Sequence, residues 1–136
     1  MANPTPSFRA ETADDLGSYI MTIYRSYVES SAMLSEYMLS SGKAGRGVLL
    51  SEVFRAFYFD FYRLYMVTRG LNALKDAKDR DSINAWFGKS RQVMDGIKYN
   101  RKDDREKIFD YASEGLTLSQ AWQDVLYNKQ IIRTVK

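Results

Sequence analysis

The chain has 136 residues, of which 45% are hydrophobic and 14% aromatic, so it is long and apolar enough for one domain with its own core. It contains no cysteine and no histidine. Their absence excludes disulfide frameworks, haem and zinc sites, thiol nucleophiles, and Ser-His or Cys-His catalytic pairs. We therefore expect neither a cofactor nor enzymatic activity. The net charge of +3 is mildly basic, which permits a polyanionic partner without requiring one.

Residues 1–11 contain both prolines of the chain, and we expect a flexible N-terminal arm in which Phe8 and Arg9 are the adhesive side chains. This arm lacks the apolar run of a secretory signal. No stretch of the sequence approaches the ~20 apolar residues that a membrane span needs. We therefore expect no membrane span, and a location inside the cell or within a virion or nucleoprotein assembly.

Residues 12–136 are predicted to form a single helical domain. The first helix should begin near Thr12, with Asp14 and Asp15 in its first turn, and should end before Gly42. A glycine-rich basic hinge, GKAGRG, follows at 42–47. The second helix is predicted from about Leu50 to Lys75.

Two further predicted helices complete the domain. Asp81 or Ser82 should cap the third helix, which ends in a basic corner at 98–102, and Asp103 or Asp104 should cap the fourth. Gly115 is expected to interrupt the last segment, with a new helix starting at the capping-box spacing of Thr117 and Gln120. The predicted fold is all-α: an antiparallel four-helix bundle with a flexible N-terminal arm and a long first helix.

The GKAGRG hinge places Lys43 and Arg46 just before a helix, where backbone amides and cations can contact a phosphate. It is not a P-loop, because Tyr37 and Ala44 stand where that motif needs a glycine and a hydroxyl residue. Two interpretations remain: a hinge with solubilising charges, or contact with a nucleic-acid backbone. The acidic clusters at 79–81 and 103–106 have basic neighbours and suit helix capping better than catalysis or magnesium binding.

The stretch FRAFYFDFYRLYMVTRG at 54–70 divides into two faces on a helical wheel at ~100° per residue. The first face is predicted to be buried and consists of Phe54, Phe57, Tyr58, Phe61 and Tyr65, widened by Leu50, Leu64 and Thr68. The second is predicted to point outward and consists of Arg55, Phe59, Arg63 and Met66, flanked by Tyr62 and Arg69.

An outward Phe and Met between arginines is unusual on a solvated surface. Such a face suits another protein chain, because aromatic, Met and Arg side chains are enriched in interface centres. It also suits nucleic acid, where Arg contacts phosphates and an aromatic ring stacks on a base. A third interpretation is that a fifth helix or the N-terminal arm covers it.

The order of segments is the arm MANPTPSFR, a long helix, the hinge GKAGRG and a compact bundle opened by FRAFYFDFYRLYMVTRGLNAL. In this layout the chain resembles the major coat proteins of filamentous and rod-shaped archaeal viruses, which are small helical proteins that assemble around DNA. The resemblance implies a structural, DNA-coating role in a virion, as a homo-oligomer.

We therefore expect a non-enzymatic assembly protein that self-associates, or binds other protein subunits, and contacts the phosphates of DNA or RNA. The protein interface is predicted at Phe59, Tyr62 and Met66. Nucleic-acid contacts are predicted at Arg9, Lys43, Arg46, Arg55, Arg63, Arg69, Lys98, Arg101 and Lys102. Two alternatives stay open: a small helical subunit of a nucleoprotein complex, similar in size and class to the small subunits of CRISPR effector complexes, or a helical adaptor with no nucleic-acid role.

Overall fold

A computed structural model describes residues 13–39, 47–96 and 102–132 of the chain. These residues form four α-helices: α1 (Ala13–Leu39), α2 (Gly47–Thr68), α3 (Arg80–Gly96) and α4 (Lys102–Asn128). A short 3₁₀ helix (Asn72–Leu74) lies between α2 and α3. Since the described residues contain no strand, the predicted all-α class is confirmed.

The four helices share one hydrophobic core. The long helix α1 packs along α2, α3 packs against α4, and α2 also contacts both α3 and α4. Trp86 of α3 lies at the centre, with its ring centroid 5.8–6.3 Å from those of Phe54, Phe57 and Phe61. Its indole Nε1 donates a hydrogen bond to the carbonyl oxygen of Tyr111 at 2.9 Å, which satisfies the only polar atom of the buried ring.

Helix α4 is continuous through Gly115, so the predicted interruption at this residue is wrong. The glycine is needed for close packing: a Cβ at this position would lie 2.7 Å from Cε2 of Trp86 and still closer to Cζ2. Thr117 and Gln120 consequently lie inside α4 and do not cap a new helix.

Three predicted helix boundaries also need correction. Helix α2 ends at Thr68 and not at Lys75, because the chain turns there and places Leu74 in the core through the 3₁₀ helix. Helix α3 begins at Arg80, so Asp81 and Ser82 lie in its first turn and do not cap it. In the same way α4 begins at Lys102, so Asp103 and Asp104 lie within its first turn and do not cap it.

The end of α4 is closed by Gln130, whose φ of 62° places it in the left-handed region. The amide of Gln130 donates to the carbonyl of Tyr127 at 3.0 Å, and the amide of Ile131 donates to that of Leu126 at 2.8 Å. This is the hydrogen-bond pattern of a Schellman motif. It returns the chain to the core, where Ile132 is buried.

Several predicted features lie outside the described residues. They are the N-terminal arm at 1–11, residues 42–46 of the hinge, and residues 98–101 of the basic corner. Within the described part of the chain, none of the helices combines the length and the apolar character that a membrane span requires.

Candidate interaction face on α2

The buried side of α2 was predicted correctly. Phe54, Phe57, Phe61 and Tyr65 have no exposed surface, and Tyr58 is 3% exposed. The residues that widen this stripe, Leu50, Leu64 and Thr68, are buried as well. Thr68 donates a hydrogen bond to the Leu64 carbonyl at 2.6 Å and accepts one from Nε1 of Trp122 at 2.9 Å, so its hydroxyl joins the end of α2 to α4.

The opposite side of α2 is exposed, as predicted. Phe59 and Met66 are each 38% exposed and Tyr62 is 39% exposed, while Arg55 and Arg63 are also exposed. We call these five residues the α2 face. Three large apolar side chains thus lie together at the surface within one helix, bordered by cations.

The aromatic residues of the α2 face are held by the core beneath them. The ring of Tyr58 packs edge-on against Phe59 at 5.1 Å and stacks on Tyr62 at 6.2 Å. Tyr62 also makes an edge contact with Phe87 of α3 at 5.2 Å. Because these contacts restrict the rings, a partner that binds here would lose less side-chain entropy on ordering them.

Helix α3 adds a cation to the α2 face that the sequence analysis missed. The guanidinium of Arg91 lies 5.9 Å from the centroid of the Phe59 ring, within the range of a cation–π contact. Burial raises the pKa of the Tyr58 hydroxyl, and the hydrogen bond and charge of Arg91 partly oppose this shift. A helical wheel of α2 alone could not reveal Arg91, because its position depends on how α3 packs.

The arginines on α2 and at its end differ in their surroundings. Arg63 Nη1 lies 3.7 Å from Oδ1 of Asp60, whose Oδ2 accepts hydrogen bonds from two serines of α1. The guanidinium of half-buried Arg69 lies 5.8 Å from the Tyr65 ring centroid. Arg55, by contrast, has no ion-pair partner among the described residues. Its charge is therefore the most available to an incoming anion.

The structure describes only some of the basic residues that were predicted to contact nucleic acid. Arg55 and Arg63 lie on α2, Arg69 directly follows it, and Lys102 is the first residue of α4. The remaining predicted residues lie outside the described part of the chain: Arg9, Lys43, Arg46, Lys98 and Arg101.

Other exposed apolar side chains occur on α1, and the sequence analysis did not single them out. They are Tyr19, Val28, Met33 and Leu39. Their spacing places them on different sides of the helix, so they form no continuous stripe. Scattered surface hydrophobics of this kind are common in folded proteins and do not indicate a binding site by themselves.

The α2 face consists of arginine, aromatic and methionine side chains. The described residues contain no group of carboxylates that could hold a metal ion. Arginine, aromatic and methionine side chains instead offer apolar contact, cation–π contact and phosphate binding.

Comparison with known proteins adds no constraint on function. No protein-family model, curated protein or solved structure matches this chain.

Proposed function

We propose that this chain is a non-enzymatic structural protein that self-associates through the α2 face and contacts the nucleic-acid backbone, in the manner of a DNA-coating capsid protein. In this proposal the four helices form an antiparallel bundle that carries a flexible N-terminal arm. The observation that carries it is the joint exposure of Phe59, Tyr62 and Met66 between Arg55 and Arg63.

Self-association explains why these apolar side chains are at the surface. Exposing a Phe, a Tyr and a Met side by side costs hydrophobic free energy that burial in an interface recovers. Aromatic, Met and Arg residues are also the types enriched in the buried centre of interfaces, where Tyr and Arg are frequent hot spots. The rings of Phe59 and Tyr62 already pack against Tyr58, so these side chains lose little conformational entropy when a partner binds.

Contact with nucleic acid is supported by the distribution of charge. Residues 51–100 carry nine Lys and Arg against six Asp and Glu, and three of these arginines lie on α2 or directly after it. Arg9 in the arm, Lys43 and Arg46 in the hinge, and Lys98, Arg101 and Lys102 in the basic corner would add phosphate contacts. The resemblance of the predicted layout to that of archaeal virus coat proteins favours DNA as the nucleic acid.

Purification of the full chain tests both parts of the proposal. Its size is followed by light scattering and its 260/280 nm absorbance ratio is measured, with and without nuclease and over a range of salt concentrations. We expect large homo-oligomers and co-purifying nucleic acid that dissociates as salt rises, because phosphate contacts weaken steeply with ionic strength. A nucleic-acid-free monomer with no gel shift at low salt would contradict the proposal.

A pair of matched variants tests the role of the arginines. Arg55→Ala should weaken binding to DNA of any sequence and reduce the slope of log K against log salt by about 1, the contribution of one phosphate contact. Arg25→Ala removes the same charge from an exposed position on α1 and should leave the slope unchanged. If both substitutions changed the affinity and the salt slope equally, DNA would be attracted by the overall charge of the protein and not by a contact at the α2 face.

A further inference from the structure

A row of residues on α2 and directly after it extends beyond the α2 face in a regular pattern. Glu52, Arg55, Phe59, Tyr62, Met66 and Arg69 are separated by three and four residues in alternation, which is the heptad spacing of helices that pair side by side. The third to fifth residues of the row, Phe59, Tyr62 and Met66, are apolar. Glu52 begins the row, Arg69 ends it, and these two residues have opposite charges.

Glu52 and Arg69 cannot pair with each other in one chain. They are separated by about 25 Å along the helix at ~1.5 Å per residue. Glu52 is exposed and has no ion-pair partner among the described residues. Arg69 packs over the Tyr65 ring, which holds its guanidinium at the other end of the row. Each charge is therefore available to a second molecule.

We propose that a second copy of this chain docks α2 against α2 in the antiparallel direction, about a twofold axis near the middle of the helix. Glu52 then lies opposite Arg69 of the second copy, Arg55 opposite Met66, and Phe59 opposite Tyr62. In this pairing the Arg55 stem packs on Met66 and its guanidinium extends to the rim of the interface, where it stays accessible to a phosphate, whereas Arg69 is occupied by Glu52. This inference rests on the self-association proposed above and specifies the partner, the direction and the register.

Charge complementarity selects the antiparallel direction. A parallel pairing would place each residue opposite itself, so that Glu52 meets Glu52, Arg55 meets Arg55 and Arg69 meets Arg69. Like charges that face each other across an interface are unfavourable. The antiparallel pairing replaces these contacts with two Glu52–Arg69 ion pairs, one at each end of an apolar centre.

The twofold symmetry also accommodates the flanking residues. In this register Arg63 of one copy lies beside Ala56 of the other, whose small side chain leaves room for the guanidinium. A contact of this kind is isologous and closed, so it produces a dimer. Any larger assembly would then be built from such dimers through other surfaces.

Charge reversal in the full-length chain tests the pairing. Glu52→Arg and Arg69→Glu should each weaken dimerisation roughly tenfold, because each replaces two attractive contacts with two repulsive ones. Mixing the two variants should restore wild-type affinity, since each end of a mixed dimer again joins one acidic and one basic side chain. Glu29→Arg, which makes the same charge change at an exposed position on α1, is the matched control and should leave affinity unchanged. Sedimentation equilibrium gives the affinities.

Disulfide trapping gives an independent readout, because the wild-type chain has no cysteine. Oxidation of a mixture of Glu52→Cys and Arg69→Cys should join one chain of each kind. Glu52→Cys alone should remain uncrosslinked in the antiparallel arrangement, since its two thiols lie at opposite ends of the dimer.

The outcomes separate this inference from the proposed function. If the wild-type chain self-associates but neither reversal weakens it, the chains meet through another surface or the N-terminal arm covers this one, and only the inference fails. Weakening without recovery in the mixture, or a disulfide in Glu52→Cys alone, overturns the antiparallel register. A wild-type chain that stays monomeric and free of nucleic acid overturns the proposed function as well.

Discussion

Trp86 of α3 packs closely against Gly115 of α4. The indole ring lies across the backbone of α4, with its Nε1 bonded to the Tyr111 carbonyl one turn before the glycine. Only a residue without a side chain lets the ring approach so closely, because a Cβ would lie 2.7 and 2.8 Å from Cε2 and Cη2 and still closer to Cζ2. The glycine therefore determines how near α3 can lie to α4.

Gly115→Ala should destabilise the protein by about 2–3 kcal/mol, because the new methyl group must displace a buried tryptophan in a well-packed core. Chemical denaturation followed by tryptophan fluorescence measures the change. Gly88→Ala is the control: a Cβ there meets nothing within 4 Å, and the helix propensity of alanine should stabilise α3 by up to about 1 kcal/mol. If both variants were equally stable, the Trp86 contact would not constrain the packing.

The error at Gly115 shows where sequence reasoning stops at the residue scale. A glycine in a helical pattern indicates a local break, since it lowers helix propensity. Its actual role depends on a ring supplied by another helix, and one sequence contains no signal for that contact. The positive φ of Gln130 could not be predicted either, because left-handed residues at helix ends are usually glycine and a glutamine does not indicate one.

At the scale of one helix, the periodicity of α2 was sufficient to predict both of its sides. Aromatic residues spaced by three and four fixed the buried stripe, and the outward Phe59 and Met66 followed from the same wheel. The end of α2 was predicted too late because the apolar spacing continues through Leu71 and Leu74. Arg91 was missed because it reaches Phe59 from α3. The spacing of residues therefore predicted which sides of one helix are buried and exposed, but it did not predict which residues of different helices touch.

Exchange of Phe59 and Met66 together for Ser should impair self-association and lower monomer stability by no more than about 2 kcal/mol, because more than a third of each residue is already exposed to solvent. Thermal melts at concentrations below the dissociation constant and light scattering above it separate the two effects.

Phe57→Ala and Phe61→Ala are the contrasting variants on the same helix. Both side chains are fully buried, so each truncation should cost about 3–5 kcal/mol of folding free energy. A double Ser variant that lost as much stability as these would show that Phe59 and Met66 support the core.

At the scale of the whole molecule, buried hydroxyl groups connect α1 to α4 across the core. The Tyr27 hydroxyl donates to Ser119 Oγ at 2.9 Å and also contacts Gln123 Oε1 at 3.4 Å, while the Tyr24 and Tyr127 hydroxyls lie 3.1 Å apart. Hydrogen bonds of this kind specify one arrangement of the helices, because a shifted helix would leave a buried polar group without a partner. They were not predicted, since tyrosines on α1 gave no indication of their partners on α4.

These tyrosines should make the folded chain sensitive to alkaline pH. Burial raises the pKa of Tyr24, Tyr27 and Tyr58, with the hydroxyl of Tyr127 raising that of Tyr24 further. Because the same phenols ionise near pH 10 in the unfolded chain, the folded state binds more protons above that pH. Their contribution to stability is therefore complete below about pH 10 and decreases as pH rises towards the raised values.

Denaturant midpoints measured from pH 8 to 11.5 should stay level up to about pH 10 and then fall. Tyr27→Phe should be less stable than the wild type at pH 8, because Ser119 and Gln123 lose a buried partner. Above about pH 10, the unfolding free energy of Tyr27→Phe should decline less steeply with pH than that of the wild type. The variant has one phenol fewer that must remain protonated in the core. The two curves should converge at high pH, and parallel curves would show that ionisation of Tyr27 is not coupled to unfolding.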